Sequence, residues 1–343
     1  MEKQEFIEGL QKSFVSLLPP EYADAKLQLR EVHSSRGVYQ GADIIRPDMD
    51  MRIMPVLNID QMYEGMKDMD VTSAVNKAAT IYKKHLGNSQ DMMYDNQMNS
   101  IVNNISDYDF VKEHLCVTVC SEAGRDILEN TPHIMEEDIP IIARIVVSRE
   151  NEETASIVVT DQLLSSWNVE KETLFADAFE NTAKIDPPHL VSMSDMLREM
   201  MGPEFPVEFD DSFGPRMFVF INDSKVNAAA SIFIPGMMDK MAEEMGGDYV
   251  VIPSSTHELI LVPDEGLDTP EDTLGIVDMV REVNATQVEP CDRIGDNAYH
   301  YDAKNKLFEQ VNDYVARLEK SEEFTPETEE NLTQETPAKS MKM

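Results

Sequence analysis

The stretch YVVIPSSTHELILVP, Tyr249 to Pro263, constrains this chain more than any other, because it sets a short polar cluster between two apolar runs of four residues. Runs this short and rich in β-branched side chains suit strands that are buried. Ser254, Ser255, His257 and Glu258 then sit on or beside the connection. Together they bring hydroxyls, an imidazole and a carboxylate into five positions, the inventory of nucleophilic hydrolysis. Chemistry of that kind needs the groups within hydrogen-bond reach, and adjacent positions rarely achieve it. On a strand His257 and Glu258 point to opposite faces, and no GxSxG elbow is present. The plainer reading is that Pro253 and the serines shape a turn while His257 and Glu258 make surface or interdomain hydrogen bonds.

Strand-like and helix-like stretches alternate around this segment. Glu5–Leu18 places Phe6, Ile7, Leu10, Phe14, Leu17 and Leu18 near one helical face, and Pro19 and Pro20 end it. Lys26–Val32, Val38–Arg46 and Met51–Ile59 read as strands, the first two joined through HSSRG with Gly37 giving the turn its freedom. Val71–Leu86 carries Val75, Ala78, Ala79 and Tyr82 at helical spacing and stops at Gly87. After the asparagine-rich Gly87–Asn104 come strands His114–Cys120, Ile139–Ser148 and Thr154–Thr160, then helices Asp161–Trp167 and Glu170–Ala183. Beyond the linker-like Gly202–Pro215, strands Arg216–Ile221 and Asn227–Ile234 lead into a methionine-rich helix, Gly236–Met245.

TASIVVTDQLL and AASIFIPGMMD share Ala-Ser-Ile 75 positions apart, each as the second strand of a hairpin that leads into a helix. Internal duplication and independent use of one pattern both fit. Thr269 caps a further helix, with Pro270 in first position and Ile276, Val277, Val280 and Val283 inward. Tyr299–Tyr301 and Lys306–Phe308 form a closing hairpin, and from Glu319 the Glu, Thr and Pro composition predicts disorder. The expected class is α+β, small antiparallel or mixed sheets covered by helices. Its regions are 1–104, then hairpin-plus-helix units at 105–205 and 206–318, then an acidic tail at 319–343.

The formal charge is −36, and its location matters more than its size. Residues 1–100 hold 15 acidic and 11 basic side chains, whereas residues 101–300 hold 40 and 12. Such a surface repels nucleic acid and anionic membranes and attracts basic proteins or cations over a Debye length of about 8 Å. No apolar run reaches the ~18 residues that span a bilayer, and the polar start MEKQEFIEGL is unlike a signal peptide, so a cytoplasmic location is expected. Cys116, Cys120 and Cys291 show no chelating or disulfide spacing, and HExxH and EF-hand loops are absent. Glu208, Asp210 and Asp211 lack the glycine-bent loop that holds Ca²⁺, so no metal site is assigned. Without a Walker loop or GxGxxG, and with five basic residues in 201–300, no nucleotide cofactor is expected. Met237, Met238, Met241 and Met245 form a stripe that suits core packing or an adaptable partner surface. Trp167 reads as a buried anchor.

Four segments carry a family resemblance: LLSSWNVEKETLFADAFENT (Leu163–Thr182), SMSDMLREMMGPEFP (Ser192–Pro206), the PSSTHE stretch, and VREVNATQV (Val280–Val288). With them the chain resembles, over roughly Glu5 to Phe308, the bacterial family catalogued as domain of unknown function 5688. The resemblance implies no activity, cofactor or site residue. The function expected from the residues is a non-catalytic acidic module that binds a basic protein, a nucleic-acid mimic being one version. The alternative is a hydrolase using Ser254 to Glu258.

Overall fold

The computed structural model describes residues 1–47, 56–85, 100–101, 103–150, 153–202, 216–267 and 269–323. The first core forms where α1 (Lys3–Ser13) turns Phe6, Ile7 and Leu10 inward and Phe14 follows them. β1 (Lys26–Ser34) and β2 (Gly37–Ile45) pair antiparallel without a break, from Lys26 opposite Ile45 to Ser34 opposite Gly37, and β3 (Leu57–Asn58) adds two residues to β2. Met51–Pro55 of the expected third strand lie outside the described residues. Ile59 belongs instead to α2 (Ile59–Glu64), because the Asn58 side chain accepts from Gln61 N–H at 2.9 Å and caps a helix there. α3 (Val71–His85) closes this core with Ala74, Val75, Ala78, Ala79 and Tyr82.

The middle of the chain opens with α4 (Tyr108–Val111) and β4 (Leu115–Val119). Strands β5 (His133–Glu136), β6 (Ile139–Glu150) and β7 (Glu153–Val158) complete a four-stranded antiparallel sheet in which the long β6 is central. On β4 and β6 the alternation is strict: Leu115, Val117, Val119, Ile141, Ala143 and Ile145 face one core, while Cys116, Thr118 and Arg144 face away from it. α5 (Asp161–Trp167) and α6 (Lys171–Ile185) follow as expected. Trp167 is a buried anchor whose indole N–H donates to Ile105 O at 2.7 Å.

β8 (His189–Ser192), α7 (Met193–Met201) and β9 (Phe218–Ile221) lead to α8 (Met237–Met245), β10 (Tyr249–Ser255), β11 (Glu258–Pro263), α9 (Pro270–Thr286), β12 (Tyr299–Asp302), β13 (Leu307–Gln310) and α10 (Val311–Glu323). The strands form a six-stranded antiparallel sheet in the order β13-β12-β10-β11-β9-β8. Tyr249, Val251, Leu259 and Leu261 join the core shared with the four-stranded sheet, while Val250, Ile252 and Val262 pack with Ile276, Val277 and Val280 of α9 and Val311 and Val315 of α10. Burial on both faces is why YVVI and LILV read as unbroken apolar runs. The shared core draws side chains from both sides of the boundary expected near residue 205.

Three expectations are corrected. Asn227–Ile234 is not a strand: Asn227 has left-handed backbone (φ 57°) and Ala228–Phe233 forms a 3₁₀ helix. Ala228 to Ile232 are all buried, so the run carries no period-two signal that could separate strand from short helix. Ala-Ser-Ile therefore lies on a strand at 155–157 and in a 3₁₀ helix at 230–232, and the hairpin-plus-helix unit is not repeated. Val283 is 42% exposed, and its inward place on α9 goes to Asn284, whose amide donates to Gly295 O and Asp296 Oδ1. Finally, α10 carries helix through Glu319 to Glu323; the rest of the expected disordered tail, 324–343, lies outside the described residues, as does 203–215 with Glu208, Asp210 and Asp211.

Candidate functional site

The β10–β11 hairpin positions the polar cluster. Its ladder shifts register between Ile252 and Ser255, where Pro253 has no N–H to give, and Thr256 and His257 form the tip. The Ser254 hydroxyl donates to Glu258 Oε1 at 3.2 Å, and Ser255 Oγ accepts from the His257 main-chain N–H at 3.1 Å. No serine hydroxyl of the cluster bonds the His257 ring. His257 Nδ1 accepts from Asn227 N–H at 3.2 Å, which leaves the ring proton on Nε2, 3.4 Å from Asp292 Oδ1. Both nitrogens are thus engaged by groups outside the cluster.

Asp292 is shared. Arg36, at the β1–β2 turn, donates to the same oxygen at 2.6 Å and to Cys291 Sγ at 3.6 Å. The His257 imidazole and then the Arg36 guanidinium hold the Asp292 carboxyl below the usual carboxylate range. Arg36 belongs to a tip that seats the first core on the rest of the protein. Ser35 O accepts from Ser121 N–H at 2.9 Å, Ser35 Oγ from Arg144 Nη1 at 2.8 Å, and His33 contacts Asp126. Gly37 reaches φ 117° at this turn, the freedom expected of it.

Arg144 looks the other way onto a polar crevice of about 20 Å³ lined by Ser156, Thr182, Asp186, Asn222 and Asn227. Its Nε is out of solvent and unpartnered, and burial holds its pKa below the ordinary arginine value. Asp186 accepts from Ser224 at 2.5 Å, and Asn222 ties down the 222–226 loop through Val226 N–H and O. Cys116 and Cys120 are buried thiols, and burial pushes Cys120 up to about 11, so Cys120 is not an activated nucleophile. The methionine stripe of α8 packs on the central core rather than into a groove.

Sequence reasoning found the hairpin but missed Arg36, Arg144 and Asp292. A signal existed for Arg144, a lone charge in the apolar run IPIIARIVV. Arg36 and Asp292 look like ordinary loop residues. Among the described residues the set with metal-capable spacing is Asp248, Asp264 and His300.

These features define an α+β protein of antiparallel sheets packed with helices, with polar residues gathered where the first core meets the rest. The chain belongs to the family of unknown function DUF5688, whose model matches residues 3–303. No curated protein and no solved structure matches it. Among the described residues no helix is long and apolar enough to cross a membrane.

Proposed function

We propose that this chain is a non-catalytic cytoplasmic module that recognises a basic protein through its acidic surface. The observation carrying this reading is the charge of residues 101–300, where 40 carboxylates meet 12 basic side chains. Pairing within this stretch alone would leave 40 − 12 = 28 of its carboxylates without a lysine or arginine from the same stretch. Several of the cations present are spent within one helical turn, as in Lys112–Asp109, Lys184–Glu180, Arg198–Asp195 and Arg281–Asp278. A basic partner relieves the remaining self-repulsion, and its association is steered at long range and weakened by salt.

Cavity size supports recognition on the surface. Two well-formed cavities among the described residues measure about 10 and 20 Å³, against about 300–1,000 Å³ for typical small-molecule sites. The hydrolase alternative draws no support from Ser254 to Glu258, since His257 is turned toward Asn227 and Asp292. A nucleic-acid mimic remains the specific form of the binding reading.

The test is capture of partners from host lysate followed by titration of the purified complex. A basic partner whose affinity falls at least about tenfold between about 50 and 300 mM salt is expected, unchanged by His257→Ala. Absence of any such partner, or an enzymatic activity lost in a stable His257→Ala variant, overturns the reading.

A further inference from the structure

Asp248 immediately precedes β10 and Asp264 immediately follows β11. The antiparallel ladder sets Tyr249 opposite Pro263, so the two aspartates meet at the open end of the hairpin, where Asp264 N–H donates to Asp248 O at 3.0 Å. β12 pairs with the other edge of β10 and places His300 opposite Val250, on the face covered by α9 and α10. One ligand atom from each of the three residues lies within 4.8 Å of the others, and His300 Nε2 is 3.3 Å from Asp264 Oδ2. Ligands about 2.0–2.1 Å from a tetrahedral zinc ion stand about 3.3–3.4 Å apart. The observed separation is therefore one edge of such a site.

Three further observations point to an ion. His300 is wholly buried and held by the Tyr314 ring, stacked 3.6 Å away, with its Nε2 facing Asp264. Neither Asp248 nor Asp264 has a lysine or arginine partner among the described residues, and the nearby Arg317 is committed to Glu309 and Asp302. Both carboxylates are already oriented: Asp248 Oδ1 accepts from Ala303 N–H at 2.9 Å, and Asp264 Oδ2 accepts from the Tyr314 hydroxyl at 3.4 Å. Outer bonds of this kind fix first ligands in metal sites.

We infer that Asp248, Asp264 and His300 bind a divalent transition-metal ion, zinc by ligand type, with a fourth position left to water. Imidazole with carboxylates suits zinc, whereas Ca²⁺ takes six to eight oxygens and Mg²⁺ avoids nitrogen. Intervals of 16 and 36 residues separate the ligands, so no sequence motif announces them.

The test uses the full chain, stripped with chelator, with Zn²⁺ titrated by calorimetry and followed by thermal denaturation. One equivalent binds and raises the Tm. His300 is buried, so Asp264→Asn and Asp248→Asn serve as the variants, with metal-free circular dichroism confirming that they fold. Each weakens Zn²⁺ binding by more than about 100-fold, beyond the range usual for outer partners. Asp278→Asn, on the solvent face of α9, leaves binding intact, as does Cys291→Ser. Lack of stoichiometric uptake, uptake that persists in both carboxamide variants, equal binding of Mg²⁺, or loss in Cys291→Ser overturns the inference.

Discussion

At Gly124 a single added carbon is forbidden. A Cβ there would stand 2.3 Å from the backbone carbon and oxygen of Ser35, inside the seat of the β1–β2 tip. Backbone cannot retreat as a side-chain end can, so Gly124→Ala costs about 1–3 kcal/mol in urea denaturation. Gly275, mid-helix in α9, has nothing within 4 Å of its added Cβ, and Gly275→Ala gains about 0.5–1 kcal/mol by the same measurement. Asp292 supplies a pH prediction. Its folded pKa is depressed, so its contribution is present above the unfolded carboxylate value near 3.9 and is lost as pH falls through the lower folded value. Wild type is more stable than Asp292→Asn at neutral pH, and the gap closes in acid. The burial of Trp167 was readable from the chain, though not Ile105, 62 positions away, as the acceptor of its indole N–H. His257 was not, because its partners Asn227 and Asp292 lie 30 and 35 positions away.

Elements were legible where chemistry is local. α9 begins as its sequence says: Thr269 Oγ1 accepts from Asp272 N–H at 3.1 Å, and Asp272 Oδ2 accepts in return from Thr269 N–H at 3.1 Å. Thr269→Ala removes the hydroxyl half of this box, leaves the main-chain N–H donating to Asp272, and costs about 1 kcal/mol in thermal or urea denaturation. The hairpins β1–β2, β6–β7, β10–β11 and β12–β13 were likewise visible in their β-branched and aromatic runs. Ala228–Phe233 was not, because tertiary contacts choose its form: Ala228 N–H donates to His257 O and Ala229 N–H to Thr256 O, bonds made to a neighbouring turn. α10 was hidden for another reason. It buries only Val311 and Val315 among its aliphatic residues, too thin a stripe against a charged background to mark a helix.

For the whole molecule, class was readable and assembly was not. Composition and alternation give α+β, but the first core meets the rest through the β1–β2 tip, whose contacts span 86 positions from Ser35 to Ser121 and 256 from Arg36 to Asp292. Arg36→Ala weakens that join without entering any core. Calorimetry then shows the first core melting as a separate, earlier transition, where wild type gives one. Synthesis gives the tip a further meaning. A ribosome adding about 5–20 residues per second delivers Asp292 roughly 13 to 50 s after Arg36. Until then the hairpin carries a guanidinium with nowhere to dock, and a chain broken off earlier keeps it so. The β1–β2 tip thus gains its Arg36 partner only after residue 292 has been made.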